Sequence, residues 1–541
     1  MSSILVWLNT PAHDVLVRIL LLVTILLYLV LFGINSLHYQ RKFSYDSLNY
    51  VDVARHIVAG RGINQATLGF NEQRFVLHTS RDAPLTAQPP LYPLLIGLFS
   101  YPGIPCTTAA LFIPLLSYGG ILLITYAFIG ALYYETVALI SVACLLFFYP
   151  LRKIALYAWS EAPGVVFILL SLYILSSATH LRGIHLVLVP AAGLLAGLAF
   201  ATRYVFFLVF CVGSVILCTA AAGWLTIAVH LGAYTVGFAL PCVLIVGRNL
   251  RVSGTLMGGG HNPATVGVGP NIRDTCLTLL GNYVGQGYSI LQIILLTLSF
   301  TILGIVLTAQ GHLLQTVEEI VLLQTRYALI LWSLSYLALI LYLRSRMYFD
   351  HIDTRLTVPA SITLVPIWAA LLVSAGQLNT RSCLILALIT ASLALLRESW
   401  NTWRMRTTHG KSSLPASERW QWIQQHTTVQ DFIIGEDTVD IAFHLQRDGI
   451  VSFSPYPNTE HFTYERLKYY VHLHGSGYHR IFLVLRKRFQ HEETWQRFFG
   501  PFIADLAAGR SGNYPGIIPH RQLADGYIFE ISLSELREEK L

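Results

Sequence analysis

Charged residues are scarce in this chain. Only 12% of its 541 residues are Asp, Glu, Lys or Arg, whereas a soluble protein has about 25%. Hydrophobic residues make up 54% of the chain, which is more than water-soluble cores bury. The composition excludes a set of ordinary soluble domains and predicts a polytopic membrane protein with one soluble part.

The chain also lacks the patterns that mark disulfide frameworks, zinc sites and nucleotide-binding loops. Its seven cysteines include no CxxC pair, and none follows Cys383. We find no Gly-rich phosphate loop, internal repeat or low-complexity segment. The first apolar stretch has no small-residue cleavage site, so it predicts a retained membrane helix rather than a signal peptide.

The few charges are unevenly distributed. Residues 1–409 carry 22 Lys and Arg against 13 Asp and Glu, whereas residues 410–541 carry 14 against 16. The basic excess therefore belongs to the apolar part. This distribution disfavours nucleic acid and favours membrane lipids or a lipid phosphate as partners.

Apolar runs of the length that a bilayer requires occur eleven times before residue 400. The predicted spans are 15–36, 106–131, 135–150, 157–177, 184–201, 204–221, 224–246, 286–309, 324–343, 356–375 and 380–396. Three connections, 37–105, 247–285 and 344–355, then fall on the same membrane side as the chain after residue 397. Residues 1–409 are thus predicted to form the transmembrane domain.

The tail, residues 410–541, has a different pattern. Short strands are predicted at 432–435, 449–453, 480–485 and 527–531. Helices are predicted at 463–474 and 494–508, each followed by Gly. The alternation predicts a soluble C-terminal α/β domain beside the helical membrane domain.

Asp46 is the first candidate for chemistry, since it lies about ten residues past the first span. Asn49, Tyr50 and Val53 follow it at helical spacing and are predicted to share its face. A carboxylate at the membrane surface can act as a general base. The alternative from the residues alone is a helix N-cap or a solvated loop charge.

The motifs around Asp46 recur in a known order. After the acid come Ala54–Gly60 and Pro89–Leu95, then Ser160–Pro163 at the start of a span. A glycine-rich span ends in Thr202-Arg203-Tyr204, and Asp353-Thr354-Arg355 precedes another span. Together they resemble the GT-C membrane glycosyltransferases, in the branch that contains protein mannosyltransferases and the aminoarabinose transferases of lipid A.

The resemblance implies a function. Such enzymes move a sugar from a polyprenyl-phosphate carrier to a lipid, glycan or protein acceptor on the extracytoplasmic face, with inversion. Carried over, Asp46 is the base that activates the acceptor hydroxyl. The protein is then expected in the plasma (inner) membrane, with its active site and C-terminal domain extracytoplasmic. A preactivated donor requires no cofactor.

Two positions depart from the family pattern. Asn49 and Gln88 stand where the lipid A transferases carry basic residues. The donor phosphate then needs other cations, for which the alternative role is contact with lipid headgroups. The candidates are Arg203 and Arg355, which rank first, and Arg55, Arg81 and Arg344.

Further candidates are expected to contact the sugar or the acceptor. Glu161 either binds the sugar, pairs with an arginine or meets its helix dipole. The remaining candidates are aromatic: Tyr50, Tyr92 and Trp159. Asp350, His351 and Asp353 resemble a metal cluster. The paired acidic motif of metal-using oligosaccharyltransferases is absent, however, so a reaction without a metal is preferred to one that uses a divalent metal.

The distribution of basic residues argues against placing Asp46 on the extracytoplasmic side. Basic residues flank the loops on the Asp46 side more often than those on the other side, which by the positive-inside rule places that side in the cytoplasm. The family orientation is preferred because a phosphate-binding face also collects arginine. Two other functions stay open: a lipid or lipid-linked sugar transporter, and a non-catalytic assembly subunit.

Overall fold

The computed structural model describes most of the chain. The described residues are 11–38, 43–68, 83–86, 88–133, 135–178, 185–220, 223–258, 266–284, 317–347, 352–375, 380–407, 417–435, 477–487 and 514–532, with short pieces between 441 and 451 and a few single residues. They form two compact units. The first comprises Met1–Lys42, Ala110–Ile245 and Val266–His409, and the second comprises Phe43–Ala109, Val246–Thr265 and Gly410–Leu541.

Helices dominate the first unit, and the second unit contains helices as well as a sheet. In chain order the α-helices of the described residues are α1 (Pro11–His38), α2 (Tyr45–Val58), α3 (Leu91–Ser100), α4 (Cys106–Leu132), α5 (Glu135–Phe147), α6 (Tyr149–Leu156), α7 (Glu161–Ala178), α8 (His185–Thr202), α9 (Leu208–Ala220), α10 (Trp224–Ser253), α11 (Val268–Val284), α12 (Val317–Arg346), α13 (Thr354–Ala375), α14 (Thr380–Thr407) and α15 (Glu418–His426). A 3₁₀ turn, Tyr204–Phe207, precedes α9.

Five of these helices are long and apolar enough to cross a membrane: Val15–Ser36, Cys106–Leu132, Trp224–Ser253, Ala328–Arg346 and Thr380–Trp400. The bent pair of α5 and α6 raises this number to six. Aliphatic side chains on α1 and α10 are exposed, as lipid-facing residues are. The chain is therefore an integral membrane protein.

The predicted number of eleven spans is not confirmed. Three apolar helices, Glu161–Ser177, Val187–Thr202 and Tyr204–Thr219, have 17 residues or fewer. At 1.5 Å per residue such a helix reaches about 25 Å, less than the hydrocarbon thickness. The predicted span 286–309 lies outside the described residues.

Two elements differ from the sequence prediction. The predicted span 135–150 is broken at Phe148, where the backbone is extended, and α5 and α6 meet at 60°. Pro150 accounts for the break, since proline lacks an N–H and clashes with a preceding helical turn. The predicted connection 247–285 contains the end of α10 and all of α11.

Glycines allow α8 and α10 to approach closely. A Cβ atom on Gly193 of α8 would lie 2.1 Å from the Tyr234 carbonyl oxygen of α10. In the reverse direction, a Cβ atom on Gly237 would lie 2.1 Å from the Pro190 oxygen. The backbones of the glycine-rich span and of α10 therefore touch, as at small-residue contacts between membrane helices.

A buried polar group joins α1, α6 and α14. Arg152 forms an ion pair with Glu398, and both side chains are buried. Asn35 donates from Nδ2 to Glu398 Oε2 at 3.0 Å. Buried charges persist in apolar surroundings when they are paired and hydrogen-bonded, so this group fixes how the three helices meet.

The second unit contains a mixed sheet. The strands are β1 (Asn64–Gln65), β2 (Thr67–Leu68), β3 (Ala83–Pro84), β4 (Asp431–Gly435), β5 (Asp448–Val451), β6 (Arg480–Arg486), β7 (Ile517–Leu523) and β8 (Gly526–Ile531). The six-stranded sheet has the order β2-β5-β4-β6-β8-β7, parallel from β2 to β6 and antiparallel beyond. A strand after α2 thus extends the sheet of the tail.

The four predicted tail strands correspond to β4, β5, β6 and β8. Trp422 and Ile423 of α15 are buried on the sheet, and the Trp422 and Phe482 rings meet at 5.3 Å. The predicted helices 463–474 and 494–508 lie almost entirely outside the described residues. The α/β class of the whole tail therefore stays a prediction.

An ion pair joins the neighbouring strands β4 and β6. Asp431 is almost completely buried and accepts hydrogen bonds from Arg480 Nη2 at 2.9 Å and from the Thr428 N–H at 2.7 Å. Burial acts to raise the pKa of Asp431, but the hydrogen bonds from Arg480 and Thr428 outweigh it and lower this pKa below its usual value.

We expect Arg480→Ala to reduce the free energy of unfolding by about 2 kcal/mol at pH 7, because it leaves a buried carboxylate without its cation. A lowered pKa contributes stability above the unfolded pKa of about 3.9 and loses it as the pH falls through the folded pKa. The difference should therefore shrink as the pH falls below the unfolded pKa and vanish below the folded pKa. Tryptophan fluorescence during unfolding measures it, with Arg521→Ala, an exposed change on β7, as the control. An equal loss at low pH would contradict the assignment.

Candidate functional site

Asp46 lies in the first turn of α2. The N-cap is Ser44, whose Oγ accepts a hydrogen bond from the Ser47 N–H. Asp46 is therefore not the N-cap of this helix, which was one of the alternatives that the sequence allowed. Its half-buried side chain stands near the positive end of the helix dipole.

Two amides accompany Asp46 and define the Asp46 site: Gln88 and Asn49. Gln88 Nε2 donates to Asp46 Oδ1 at 3.1 Å. Gln88 Oε1 and Asn49 Oδ1 are buried and have no hydrogen-bond partner among the described residues. Gln88 therefore orients the carboxylate without neutralising its charge. The two oxygens can accept hydrogen bonds from a ligand.

The segment before Gln88 is held by the end of α10. Arg248 donates to the carbonyl oxygens of Leu85 at 2.7 Å and Ile63 at 2.9 Å. Gly258 has φ +76°, and a Cβ atom there would lie 2.1 Å from the Thr86 oxygen, so only glycine fits. Arg248 therefore fixes the backbone that presents Gln88.

Tyr50 and Tyr92 pack between α2 and α3. Both side chains are buried, and their rings meet edge to face with centroids 5.0 Å apart. This geometry is typical of a packed aromatic pair. Their contact with a sugar or an acceptor stays a prediction.

Arg55 and Asp52 lie further along α2. Asp52 Oδ2 accepts from the Ala66 N–H at 2.6 Å and so ties the helix to the strand segment after it. Burial raises the pKa of Asp52, and the charges of His56 and Arg55 act against this. The charge of Arg55 also acts on His444. Contact of Arg55 with a phosphate stays a prediction.

In the first unit, two predicted arginines share one predicted carboxylate. Arg203 and Arg355 both donate to Glu161 Oε1, and the Glu161 side chain is only 2% exposed. Glu161 Oε2 is buried and has no hydrogen-bond partner among the described residues. Two guanidinium groups and one carboxylate carry a net charge of +1, which suits an anion at the partly exposed arginines. We call these three residues the Glu161 cluster.

Local backbone features bring the cluster together. Glu161 opens α7, Arg203 has extended backbone between α8 and the 3₁₀ turn, and Arg355 is the second residue of α13. A Cβ atom on Gly164 would lie 2.3 Å from the Phe206 ring, so glycine lets α7 approach the turn after Arg203. The break in the helix at Arg203 therefore directs its side chain to the start of α7.

Trp159 supports the cluster from one side. The Arg355 guanidinium lies over the Trp159 ring at 4.6 Å, a cation–π contact, and Tyr157 stacks on Trp159 at 4.4 Å. Lys153 Nζ lies 5.8 Å from the same ring and 3.9 Å from Asp353 Oδ2. Trp159 is buried, and its contact with a sugar stays a prediction.

The other candidates are placed less directly. Arg344 is buried in the last turns of α12, and its contact with phosphate stays a prediction. Arg81, Asp350 and His351 lie outside the described residues. Within the described ranges, no group of three or more His, Cys, Asp or Glu side chains is arranged to hold a metal ion.

Sequence reasoning missed two supporting residues. Neither Lys153 nor Gly164 was singled out as a candidate. Lys153 contacts Asp353, and Gly164 contacts Phe206, so both have partners that are distant in the sequence. No periodic pattern in a single sequence would reveal either contact.

These features define a class. The chain is an integral membrane protein with a GT-C-like fold. No family model and no curated protein matches the sequence. The likeness is seen in solved structures at low identity, so it concerns the fold alone.

The similar structures cover nearly the whole chain. ArnT from Cupriavidus metallidurans in the apo state has a TM-score of 0.58 at 12% identity, covering 96% of this chain and 98% of that one. The same protein bound to undecaprenyl phosphate has a TM-score of 0.56 at 11% identity, with the same coverage. The Archaeoglobus fulgidus oligosaccharyltransferase in complex with Zn and sulfate has a TM-score of 0.52 at 13% identity, covering 94% and 72%.

Proposed function

We propose that this protein is a membrane glycosyltransferase that takes a sugar from a polyprenyl-phosphate donor. The observation that carries the proposal is the Glu161 cluster in a chain with the GT-C fold. Two arginines beside apolar helices offer bidentate donors to a lipid phosphate. A charge within or beside a membrane helix is costly, which favours a functional role for these arginines.

The proposed reaction is a single inverting displacement. The acceptor hydroxyl oxygen attacks the anomeric carbon, Asp46 takes the hydroxyl proton, and the bond from that carbon to the phosphate oxygen breaks. The bonding electrons leave with the lipid phosphate, which gains negative charge. Arg203 and Arg355 stabilise that charge in the transition state. Gln88 holds the carboxylate by its hydrogen bond.

The location of the reaction is part of the proposal. The protein is assigned to the plasma (inner) membrane, with the active site and the tail on the extracytoplasmic side. The acceptor is a lipid, a glycan or a protein that offers a hydroxyl group. Buried amide oxygens at Gln88 and Asn49 support a hydroxyl-bearing acceptor, because hydroxyl hydrogens would satisfy them.

Donor consumption tests the proposal. The purified protein is reconstituted in vesicles with a panel of labelled polyprenyl-phosphate sugars and a membrane extract as the acceptor pool. We expect label in a new product and an equal amount of released lipid phosphate. The Arg203→Gln, Arg355→Gln double variant should lose at least 100-fold in rate, on the order of two lost charge-assisted contacts. Arg346→Gln, an exposed arginine over Tyr342, is the matched control.

The alternatives give different results. Label that only moves between leaflets would identify a transporter. Unchanged donor with the whole panel, together with co-purification of a larger complex, would identify an assembly subunit. Transfer that the double variant retains would remove the arginines from the mechanism.

A further inference from the structure

The segment that carries Arg355 is fixed by side chains of α11. Thr278 Oγ1 donates to the Ile352 carbonyl oxygen at 2.9 Å. Asn282 Nδ2 donates to Thr357 Oγ1 at 2.8 Å. These contacts lie on either side of Arg355, three residues before it and two after it. The backbone around the arginine is therefore held at both ends by one neighbouring helix.

The contacts follow one face of α11. Asn271, Thr278 and Asn282 are spaced by seven and four residues, so they point in one direction from the helix. Asn271 Nδ2 donates to Ser345 Oγ near the end of α12 at 3.1 Å. The same face therefore holds the chain before and after the connection from α12 to α13.

The polar residues are not required for packing. Asn271 and Asn282 are 2% and 5% exposed, and an apolar side chain of similar volume would fill the same space. Asn282 Oδ1 is buried without a hydrogen-bond partner among the described residues, which is a cost to stability. Hydrogen bonds have a fixed geometry, so they determine where α13 begins. Apolar contacts tolerate displacement and would fix this position far less strictly.

We propose that Thr278 and Asn282 are positioning residues that hold Arg355 against Glu161, and so set the geometry with which Arg355 meets a lipid phosphate. The second part of the proposal rests on the proposed function. The first part concerns the Glu161–Arg355 pair alone and is tested without any ligand. A small displacement of Arg355 is sufficient, since guanidinium–anion bonds depend steeply on distance and angle.

The ligand-free test is a double-mutant cycle in thermal unfolding of the full chain. Wild type, Glu161→Gln, Arg355→Gln and the double variant give the coupling between the two residues. The cycle is repeated in the background of Thr278→Val. We expect the coupling to fall by at least half. A merely structural loss would lower the stability of all four proteins equally and leave the coupling unchanged.

The chain offers a matched control on the same helix. Thr275 is buried as Asn282 is, but its hydroxyl donates to Asn271 O within α11. Thr275→Val should leave the coupling unchanged. Thr278→Ser keeps the hydroxyl and should retain it. Asn282→Leu removes the contact on the other side of Arg355 and should repeat the effect if Thr278→Val does not fold.

Binding of undecaprenyl phosphate to the purified protein measures the second part. We expect Thr278→Val to raise the dissociation constant about fivefold, which corresponds to the loss of one hydrogen bond. In an Arg355→Gln background the same change should have no effect, because the arginine through which it acts is gone. Thr275→Val should bind as wild type does.

The outcomes separate the two proposals. If wild type binds undecaprenyl phosphate no better than the Arg203→Gln, Arg355→Gln variant, the proposed function fails, and the unfolding cycle still decides the positioning role. If Thr278→Val leaves the coupling intact, or Thr275→Val reduces it equally, the positioning role is overturned.

Discussion

Asp46→Asn is expected to reduce sugar transfer by about 100- to 10,000-fold, the range that a general base contributes. The asparagine side chain has the same shape and its oxygen can still accept the hydrogen bond from Gln88, but it cannot take the proton of the acceptor hydroxyl. Binding of the donor should change little, because the phosphate is assigned to Arg203 and Arg355. Transfer of label from a polyprenyl-phosphate sugar measures the effect.

The same helix provides the control. Asp52 is buried, and its pKa is raised by that burial, so a neutral amide should be tolerated there at little cost. Asp52→Asn also keeps an oxygen that can accept from the Ala66 N–H. We expect this variant to transfer sugar at nearly the wild-type rate. If Asp46→Asn did so as well, Asp46 would not be the base.

Glu161→Gln is expected to destabilise the protein by about 3 kcal/mol, since breaking a buried ion pair leaves charges without compensation. Two arginines lose the carboxylate that they share, so donor binding and transfer should fall as well. Thermal unfolding in detergent should show a melting temperature lower by several degrees. The effect should persist at high salt, because buried pairs are screened weakly.

Glu135→Gln is the matched control for this change. Glu135 opens α5 as Glu161 opens α7, and it also pairs with an arginine, Arg18. Both of these side chains are 42% exposed, and surface pairs contribute about 0–1 kcal/mol. A loss at Glu135 equal to that at Glu161 would show that the Glu161 cluster owes nothing to its burial.

Local sequence patterns predicted some elements and missed others. The helical face of Asp46 and the four strands of the tail follow from periodicity and lie where they were expected. The break at Phe148 was missed because the apolar run continues through Pro150, and hydrophobicity outweighed the proline in the prediction. Strand β2 was missed because two residues carry no alternation.

The site was predictable only in part. Motif positions singled out Glu161, Arg203 and Arg355, and pairing with an arginine was one alternative for Glu161. The sharing of one oxygen by both arginines was not predictable, because it depends on a bend after α8 and on the space left by Gly164. Thr278 reaches its partner across 74 residues of sequence, and a single threonine gives no sign of such a contact.

The pairing of β2 with β5 has a consequence for biosynthesis. About 380 residues separate the two strands along the chain. At roughly 5–20 residues per second, the ribosome needs on the order of 20 to 80 seconds to make the intervening polypeptide. During that time the edge of β2, which begins nine residues beyond the end of α2, is without its neighbour. Truncation before β5 would leave this edge open permanently, so a strand made late completes the surroundings of a strand made much earlier.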